Sequence, residues 1–404
     1  MKRKTGAMLL IAGTCIGSGM IALPLVLAKL GIILSVALML VVWFVMYYTS
    51  LINLQLNLSA GHGLTLGSLG RLFSGKYAEW IGIISLKLLS YSLLAVFIYG
   101  GASILKESFL FYREIDLQFN ILASFYALAV ILLLLSPIKL IDYINRLLFI
   151  GLIVVVALLI IGLALSIEWL HLPLFSDQNM EFSSWTAVIP VVFTSFGFQV
   201  IFQTLTNYCE RDAKLLKQAF FWGSLIPAIV YILWTCSVLS TVFQNNPDFY
   251  RQLTTGNAEV GELIQVLSSI ADWHSVQLLI WLVSSLAIAT SVLGVGVSLT
   301  SALKDMLKLS VPNAKIRNLA ASILTVLPAY LVVIYVPNAF IAVLGFAGMI
   351  LAIIAILLPV YLFSLIKTKT LAYPELKHQW LIAFSVLFGL IVILSELYNI
   401  FVLH

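Results

Sequence analysis

The feature that most constrains this chain is the recurrence of unbroken apolar runs about 20 residues long. Coiled as a helix, a run of that length matches the roughly 30 Å hydrocarbon thickness of a bilayer. Eleven runs can be placed, at about 7–28, 31–55, 80–107, 119–136, 146–166, 185–206, 219–242, 276–303, 318–336, 338–364 and 379–402. Composition rules out a soluble alternative. The 404 residues are 62% hydrophobic and only 10% charged, against roughly 25% charged in an ordinary soluble domain. An outer-membrane barrel is excluded too, because its strands alternate polar and apolar residues with a period of two. The sequence therefore predicts an all-α polytopic membrane protein with eleven transmembrane helices.

Sidedness follows from the positive residues, which concentrate in cytoplasmic loops of membrane proteins. With the N-terminus inside, the inner segments hold Lys2, Arg3, Lys4, Arg71, Lys76 and most later cations, including Lys304, Lys308, Lys315 and Arg317. The outside holds Lys29, Lys106, Arg113 and Arg251, and an odd span count leaves His404 external. The net charge of +5 is thus a topology signal scattered over short loops, which argues against a nucleic-acid partner. Cys15, Cys209 and Cys236 lie in or at the ends of apolar segments, so no loop disulfide framework exists. Length and the ten spans behind it make the first span a retained anchor rather than a signal peptide.

Two loops exceed simple connectors. Residues 56–79 place Leu66, Leu69, Leu72 and Phe73 at helical spacing beside Arg71 and Lys76, which reads as an amphipathic helix on the cytoplasmic face. His62 in the same loop reads as solvated. The acidic segment 243–275 is the largest external one and reads equally as a lid or as a solvated connector.

Two spans should not run straight. The first contains Gly13-Thr14-Cys15-Ile16-Gly17-Ser18-Gly19 before Pro24, and each glycine costs roughly 1 kcal/mol in a helix relative to alanine. A break there aims the amides of a half-helix N-terminus into the membrane interior, where they can hold a carboxylate without a basic side chain. The alternative is that small residues simply admit a neighbouring helix. The sixth span carries a similar interruption, Pro190 followed by Phe193-Thr194-Ser195-Phe196-Gly197-Phe198-Gln199. Five spans separate the start of one interrupted span from the start of the other, and an odd number inverts the second copy. The chain thus reads as a single transporter domain, 1–404, of two inverted five-helix repeats, 5–166 and 185–366, with 379–402 added.

These stretches also resemble the aromatic (and hydroxy) amino acid permease family, of the tyrosine- and tryptophan-specific type. Gly13 to Pro24 is similar to that family's first span, and Phe193 to Phe198 to its sixth. Asn145-Arg146, Ala289-Thr290-Ser291-Val292-Leu293-Gly294-Val295 and Leu344-Gly345-Phe346-Ala347-Gly348 resemble it elsewhere. The resemblance implies a LeuT-like 5+5 fold, a bacterial inner-membrane location and import of an aromatic amino acid by symport with an ion, a proton before sodium. Membrane lipid is the other implied partner, and no cofactor is called for. Gln199 stands where the family commonly has His, and Lys87 where an apolar residue is expected.

The same resemblance implies the site. Amides of Ile16, Gly17, Ser18 and Gly19 would hold the substrate carboxylate, with Tyr91 as a phenol donor. Carbonyls near Gly13 and Thr14, with Thr194 and Ser195, would take the ammonium. Phe196, Phe198 and Gln199 would shape the side-chain pocket. Thr290 and Ser291 either offer neutral oxygens for a cation or bond their own helix backbone. Lys87 lies about 10 Å into its span at 1.5 Å per residue, either coupling or snorkelling; Glu396 in the last span reads as snorkelling. A membrane enzyme would need a mid-membrane cluster of His, Asp, Glu or Cys, and a passive channel a polar stripe along several spans. The sequence carries neither.

Overall fold

The computed structural model describes residues 3–61, 63–166, 172–210, 212–270, 274–308, 310–336, 339–366 and 371–403. His62 and His404 lie outside the described residues, as does the side chain of Ser18. Among the described residues there is no strand. Among the same described residues eight helices are long and apolar enough to cross a membrane, or up to nine when one bent pair is counted as one span.

That pair is α1 (Arg3–Cys15) and α2 (Ser18–Leu27), which bend by 47° at their junction. Next come α3 (Ile32–Ala60), the short α4 (Leu66–Phe73) and the long α5 (Lys76–Arg113). The half closes with α6 (Phe119–Leu135) and α7 (Ile138–Ser166). Helix α6 has 17 residues, the short end of the roughly 17–25 that cross a bilayer, and α7 has 29. A second interrupted span follows, α8 (Phe182–Ser195) and α9 (Phe202–Tyr208), separated by a 3₁₀ turn at Gln199–Ile201. Then come α10 (Ala213–Asn245), two short helices α11 (Pro247–Thr255) and α12 (Val260–Ile270), and α13 (His274–Leu307). Helix α14 (Ala314–Tyr335) precedes α15 (Ala339–Ala352), which passes through a π turn, Ile353–Leu357, into α16 (Leu358–Leu365). Helix α17 (Gln379–Tyr398) ends in a second π turn, Asn399–Leu403.

The interior brings the interrupted spans together. Helix α1 packs on α10, α2 on α8, and α15 on both α5 and α8, while α13 runs between α5 and α7. The core residues around the breaks, among them Ile16, Met20, Phe193, Phe196 and Phe198, are fully buried. Large apolar side chains on the outer faces of α6, α7 and α17, such as Phe125, Ile150 and Leu394, point away from the protein. That inside-out pattern is what a bilayer solvent requires of a helix packed on one side only.

The described parts of both long loops carry short helices. Thr65 caps α4, its Oγ1 accepting from the Ser68 amide at 3.2 Å. The helix lies on α5 through glycine: a Cβ on Gly70 would stand 2.7 Å from the Ala78 backbone. Leu69 is buried there, but Leu72 faces outward. The described part of segment 243–275 is packed onto the bundle rather than being a solvated connector. Phe249, Leu253, Leu263 and Leu267 are buried beneath α11 and α12, and the Gly261 amide donates to Ser103 Oγ of α5 at 3.1 Å. Lys29, in the turn after α2, reaches the C-terminus of α11, where its Nζ would lie 2.7 Å from a Cβ on Gly256. Burial pushes the Lys29 amine below its ordinary value, with Glu181 opposing the shift.

Glu396 departs from the sequence expectation. It does not reach out to the headgroups; it is 4% exposed, shut between α17, α8 and α15. The space exists because Gly345 has no side chain, and a Cβ there would lie 2.5 Å from Glu396 Oε2.

Candidate substrate site at two helix breaks

The first break follows from its glycines. The Ile16 amide still closes on the Ala12 carbonyl at 2.8 Å, and the chain then turns at Gly17 (φ −146°, ψ −116°). By helix geometry the first N–H groups of α2, those of Ser18 and Gly19, have no acceptor within the helix. Gly17 is held against α13, where a Cβ would lie 2.4 Å from Ser291 Oγ. Gly19 is held against α8 and α10, where a Cβ would lie 2.5 Å from Tyr231 Oη and 2.7 Å from Ser195 Cβ. Close backbone approach, rather than left-handed geometry, is what excludes a side chain at either position.

The second break unwinds more gradually. The Gly197 amide donates to the Thr194 carbonyl at 2.9 Å and the Ile201 amide to the Phe198 carbonyl at 3.2 Å. Gln199 bends back on its own backbone, its Oε1 accepting from the Phe198 amide at 3.0 Å, and its Nε2 reaches Met46 Sδ at 3.2 Å. Phe196 meets Tyr231 edge-on at 5.3 Å between ring centres, and Phe198 sits with Phe202 and Phe220 in an aromatic cluster.

The two breaks meet at Tyr231 of α10. Its hydroxyl donates to the Cys15 carbonyl, the end of α1, and stands 3.0 Å from the Ser195 carbonyl, the end of α8. One hydroxyl proton serves only one carbonyl at a time, so two acceptors from two half-helices compete for a single donor. One turn further, Trp234 Nε1 donates to the Met20 carbonyl at 2.5 Å. Neither residue was singled out from sequence. Their signal is a pair of aromatics with polar tips, three residues apart, in the middle of an apolar span.

The other anticipated residues divide into two groups. Gly17 lies against Ser291, Gly19 against Ser195 and Tyr231, and Phe196 joins them through the Tyr231 ring. The buried Ile16, by contrast, keeps its helical bond, Phe198 packs on Phe202 and Phe220, and Gln199 reaches Met46. Thr14, Thr290 and Ser291 direct their hydroxyls onto carbonyls of their own helices, at 2.8, 2.9 and 2.8 Å. Thr194 Oγ1 lies 2.8 Å from the Pro190 carbonyl and 3.0 Å from the Leu344 carbonyl of α15. Lys87 and Tyr91 are elsewhere. Lys87 Nζ contacts Met306 Sδ at 2.8 Å, about 22 Å along α13 from Ser291 at 1.5 Å per residue. The Tyr91 hydroxyl donates to the Leu324 carbonyl of α14 at 3.0 Å. No cluster of His, Cys, Asp or Glu suited to a metal occurs among the described residues.

Paired helix breaks facing each other inside a multi-pass helical bundle define a membrane transporter. The fold agrees: a manganese transporter of Eremococcus coleocola superposes with a TM-score of 0.60 at 14% identity, covering 98% of this chain and 85% of that one, so the architecture is LeuT-like. The chain belongs to the tryptophan/tyrosine permease family, which it matches over residues 1–396. It is 30% identical to the tyrosine-specific transport system 1 of Haemophilus influenzae, over 94% of this chain and 91% of that protein. It is 28% identical to a tryptophan-specific transport protein of Pseudomonas aeruginosa, over 88% and 84%. Glutamine transporter 2 of Aliivibrio fischeri is also 28% identical, over 97% and 98%. The protein is a multi-pass amino-acid permease and not an enzyme.

Proposed function

We propose that this permease imports an aromatic amino acid, tyrosine or tryptophan, across the bacterial inner membrane by alternating access, driven by a proton gradient. The observation that carries the reading is the junction at Tyr231, where the carbonyl ends of α1 and α8 meet beside the amide end of α2. A zwitterion has one group for each: an ammonium for the carbonyls of Cys15 and Ser195, a carboxylate for the amides of Gly17, Ser18 and Gly19. The Ile16 amide is left out because the Ala12 carbonyl holds it at 2.8 Å. In this reading Phe196, Phe198 and Gln199 bound the side-chain pocket, and Thr14, Thr194, Thr290 and Ser291 line it with neutral oxygens. Tyr91 and Lys87 are left out, because their polar atoms face α14 and α13 away from the junction.

The names of the family and of its tyrosine and tryptophan carriers support the aromatic substrate. The paired interruptions at the start of 5–166 and of 185–366 support two inverted repeats with 379–402 as an addition. The distribution of Lys and Arg supports a cytoplasmic N-terminus and an external C-terminus. A carrier for another neutral amino acid is the second reading, favoured by the likeness to a glutamine transporter over nearly the whole chain.

Uptake of labelled tyrosine, tryptophan and glutamine into proteoliposomes, with proton and sodium gradients imposed separately, tests the proposal. The expected result is aromatic accumulation under a proton gradient alone. Glutamine uptake without aromatic uptake selects the second reading, and equilibration indifferent to both gradients indicates a facilitator.

A further inference from the structure

Glu396 lies inside the last span, about 9 Å from its end at Val402 at 1.5 Å per residue. The elements packed around it are α8, α15, the π turn Ile353–Leu357 and the π turn Asn399–Leu403. None of them contains Asp, Glu, Lys, Arg or His, and Glu396 is the only charged residue of α17 itself. The nearest titratable groups along those chains are Tyr398, whose ring packs on Phe182, and Glu181, at the N-cap of α8. No described cation therefore faces this carboxyl. A carboxylate shut from water without a counter-charge is tolerated only once it is neutralised.

Asn399 provides an independent mark of how it is neutralised. Its Nδ2 donates to the Thr186 carbonyl of α8 at 2.9 Å, which fixes the donor end of the amide, and to Glu396 Oε2 at 3.2 Å. Its Oδ1 is buried and has no donor among the described residues, an omission that costs about 1–3 kcal/mol in a folded protein. A carboxylic acid answers both halves of the amide: its carbonyl oxygen accepts from Nδ2 and its O–H is the donor that Oδ1 lacks. A bound cation would leave Nδ2 aimed at the same positive charge.

We propose that Glu396 is a proton-binding site, loaded as the neutral acid while α17, α15 and α8 are packed and emptied when that seam opens. On emptying, the carboxyl O–H breaks and the proton passes to entering water, which then solvates the carboxylate; refilling is the reverse. The site touches the substrate machinery through one residue. Glu396 lies against Gly345, and the preceding carbonyl, that of Leu344, is 3.0 Å from Thr194 Oγ1 in the last turn of α8 before its break. Charge at Glu396 thus acts on the α15 backbone that steadies the second break. The role of this proton in driving uptake rests on the proton-coupled reading above; the existence of the site does not.

Two measurements on the full-length carrier test this. Infrared difference spectra of the substrate-free protein, titrated with pH, read carboxylic-acid carbonyls directly, and Glu396→Gln is expected to delete one band. In proteoliposomes Glu396→Gln is expected to keep substrate exchange within about twofold while lowering pH-driven accumulation by about tenfold or more. Asn399→Leu is expected to retain the band but shift its pH midpoint, and it carries the test if Glu396→Gln does not reach the membrane. No band lost in Glu396→Gln, or no shifted midpoint in Asn399→Leu, overturns the site. Wild-type accumulation and pH profile in Glu396→Gln overturn its driving role. If wild-type uptake follows sodium alone, the proton-driven reading and that role fall together, and the infrared band still decides the site.

Discussion

The two interrupted spans reach the same junction by different means. At the first, two glycines, Gly17 and Gly19, let the backbone at the start of α2 press directly on Ser291, Ser195 and Tyr231. At the second, the backbone is turned by its own side chains: Gln199 caps the Phe198 amide, and Thr194 ties the end of α8 to α15. One break is held by absence of side chains and the other by their presence. The difference teaches that the first is intolerant of added volume, whereas the second loses its supports one hydrogen bond at a time.

Gly17→Leu should therefore have the largest effect. The added side chain starts 2.4 Å from Ser291 Oγ, and no rotamer removes a Cβ. The span remains apolar and should still insert, so membrane content is expected to stay normal while substrate binding weakens by about 100-fold or more. Radioligand binding to the purified protein checks this. Wild-type affinity would move the site away from the first break.

Tyr231→Phe comes next, because it removes a donor from both breaks at once. Two buried carbonyls, those of Cys15 and Ser195, lose their shared hydroxyl, at a cost of about 1–3 kcal/mol. Thermal unfolding of the purified variant should fall accordingly. Saturating substrate should restore more stability than it adds to wild type, because the ammonium then occupies the carbonyls. Equal stabilisation of both proteins would mean that substrate never meets them.

The sequence made the bilayer legible because apolar run length is a local property, and it made the breaks legible because glycine and proline punctuate a helix wherever they fall. Tyr231 and Trp234 were not legible, since an aromatic in an apolar span looks like packing until its polar tip is seen to meet a carbonyl from a distant helix. Glu396 misled for the same reason. Its nearness to a helix end suggests solvent, while the cavity that buries it is made by Gly345, 51 positions earlier in the chain. Lys87 and Tyr91 do share one side of α5, as their four-residue spacing requires, but spacing says nothing about which neighbour that side meets. Segment 243–275 is ambiguous in sequence because alternating short apolar clusters fit a cap and a loop equally well.

Gln199→Leu probes the second break by itself. It deletes the cap on the Phe198 amide and leaves the first break untouched, so a loss of about 1 kcal/mol is expected. Combined with Gly17→Leu, its effect on stability should be additive if the two breaks are built independently. A double-mutant cycle on unfolding free energies measures that, and strong coupling would show the two interruptions to be one mechanical unit.

The smallest effect sharpens the contrast from outside. The cap formed by α11 and α12 rests on α2 as well as on α5, α10 and α13, so it meets the first break directly, through α2. Within it, Glu259 is held above the usual carboxylate range by burial and by the charge of Glu262, with Lys106 opposing. A raised carboxyl favours the protonated folded state. Its contribution to stability is present at low pH and is lost as pH rises from the unfolded value through the raised folded one. Glu259→Gln removes that loss, so the variant should be more stable than wild type at neutral pH and indistinguishable from it in acid. Because the side chain is partly open to water, the gain should stay under about 1 kcal/mol. Proteolysis at the cap, followed across pH, reads it. A gain that instead protected the α8–α9 turn would mean that the cap bears on both breaks and that their difference ends at the membrane surface.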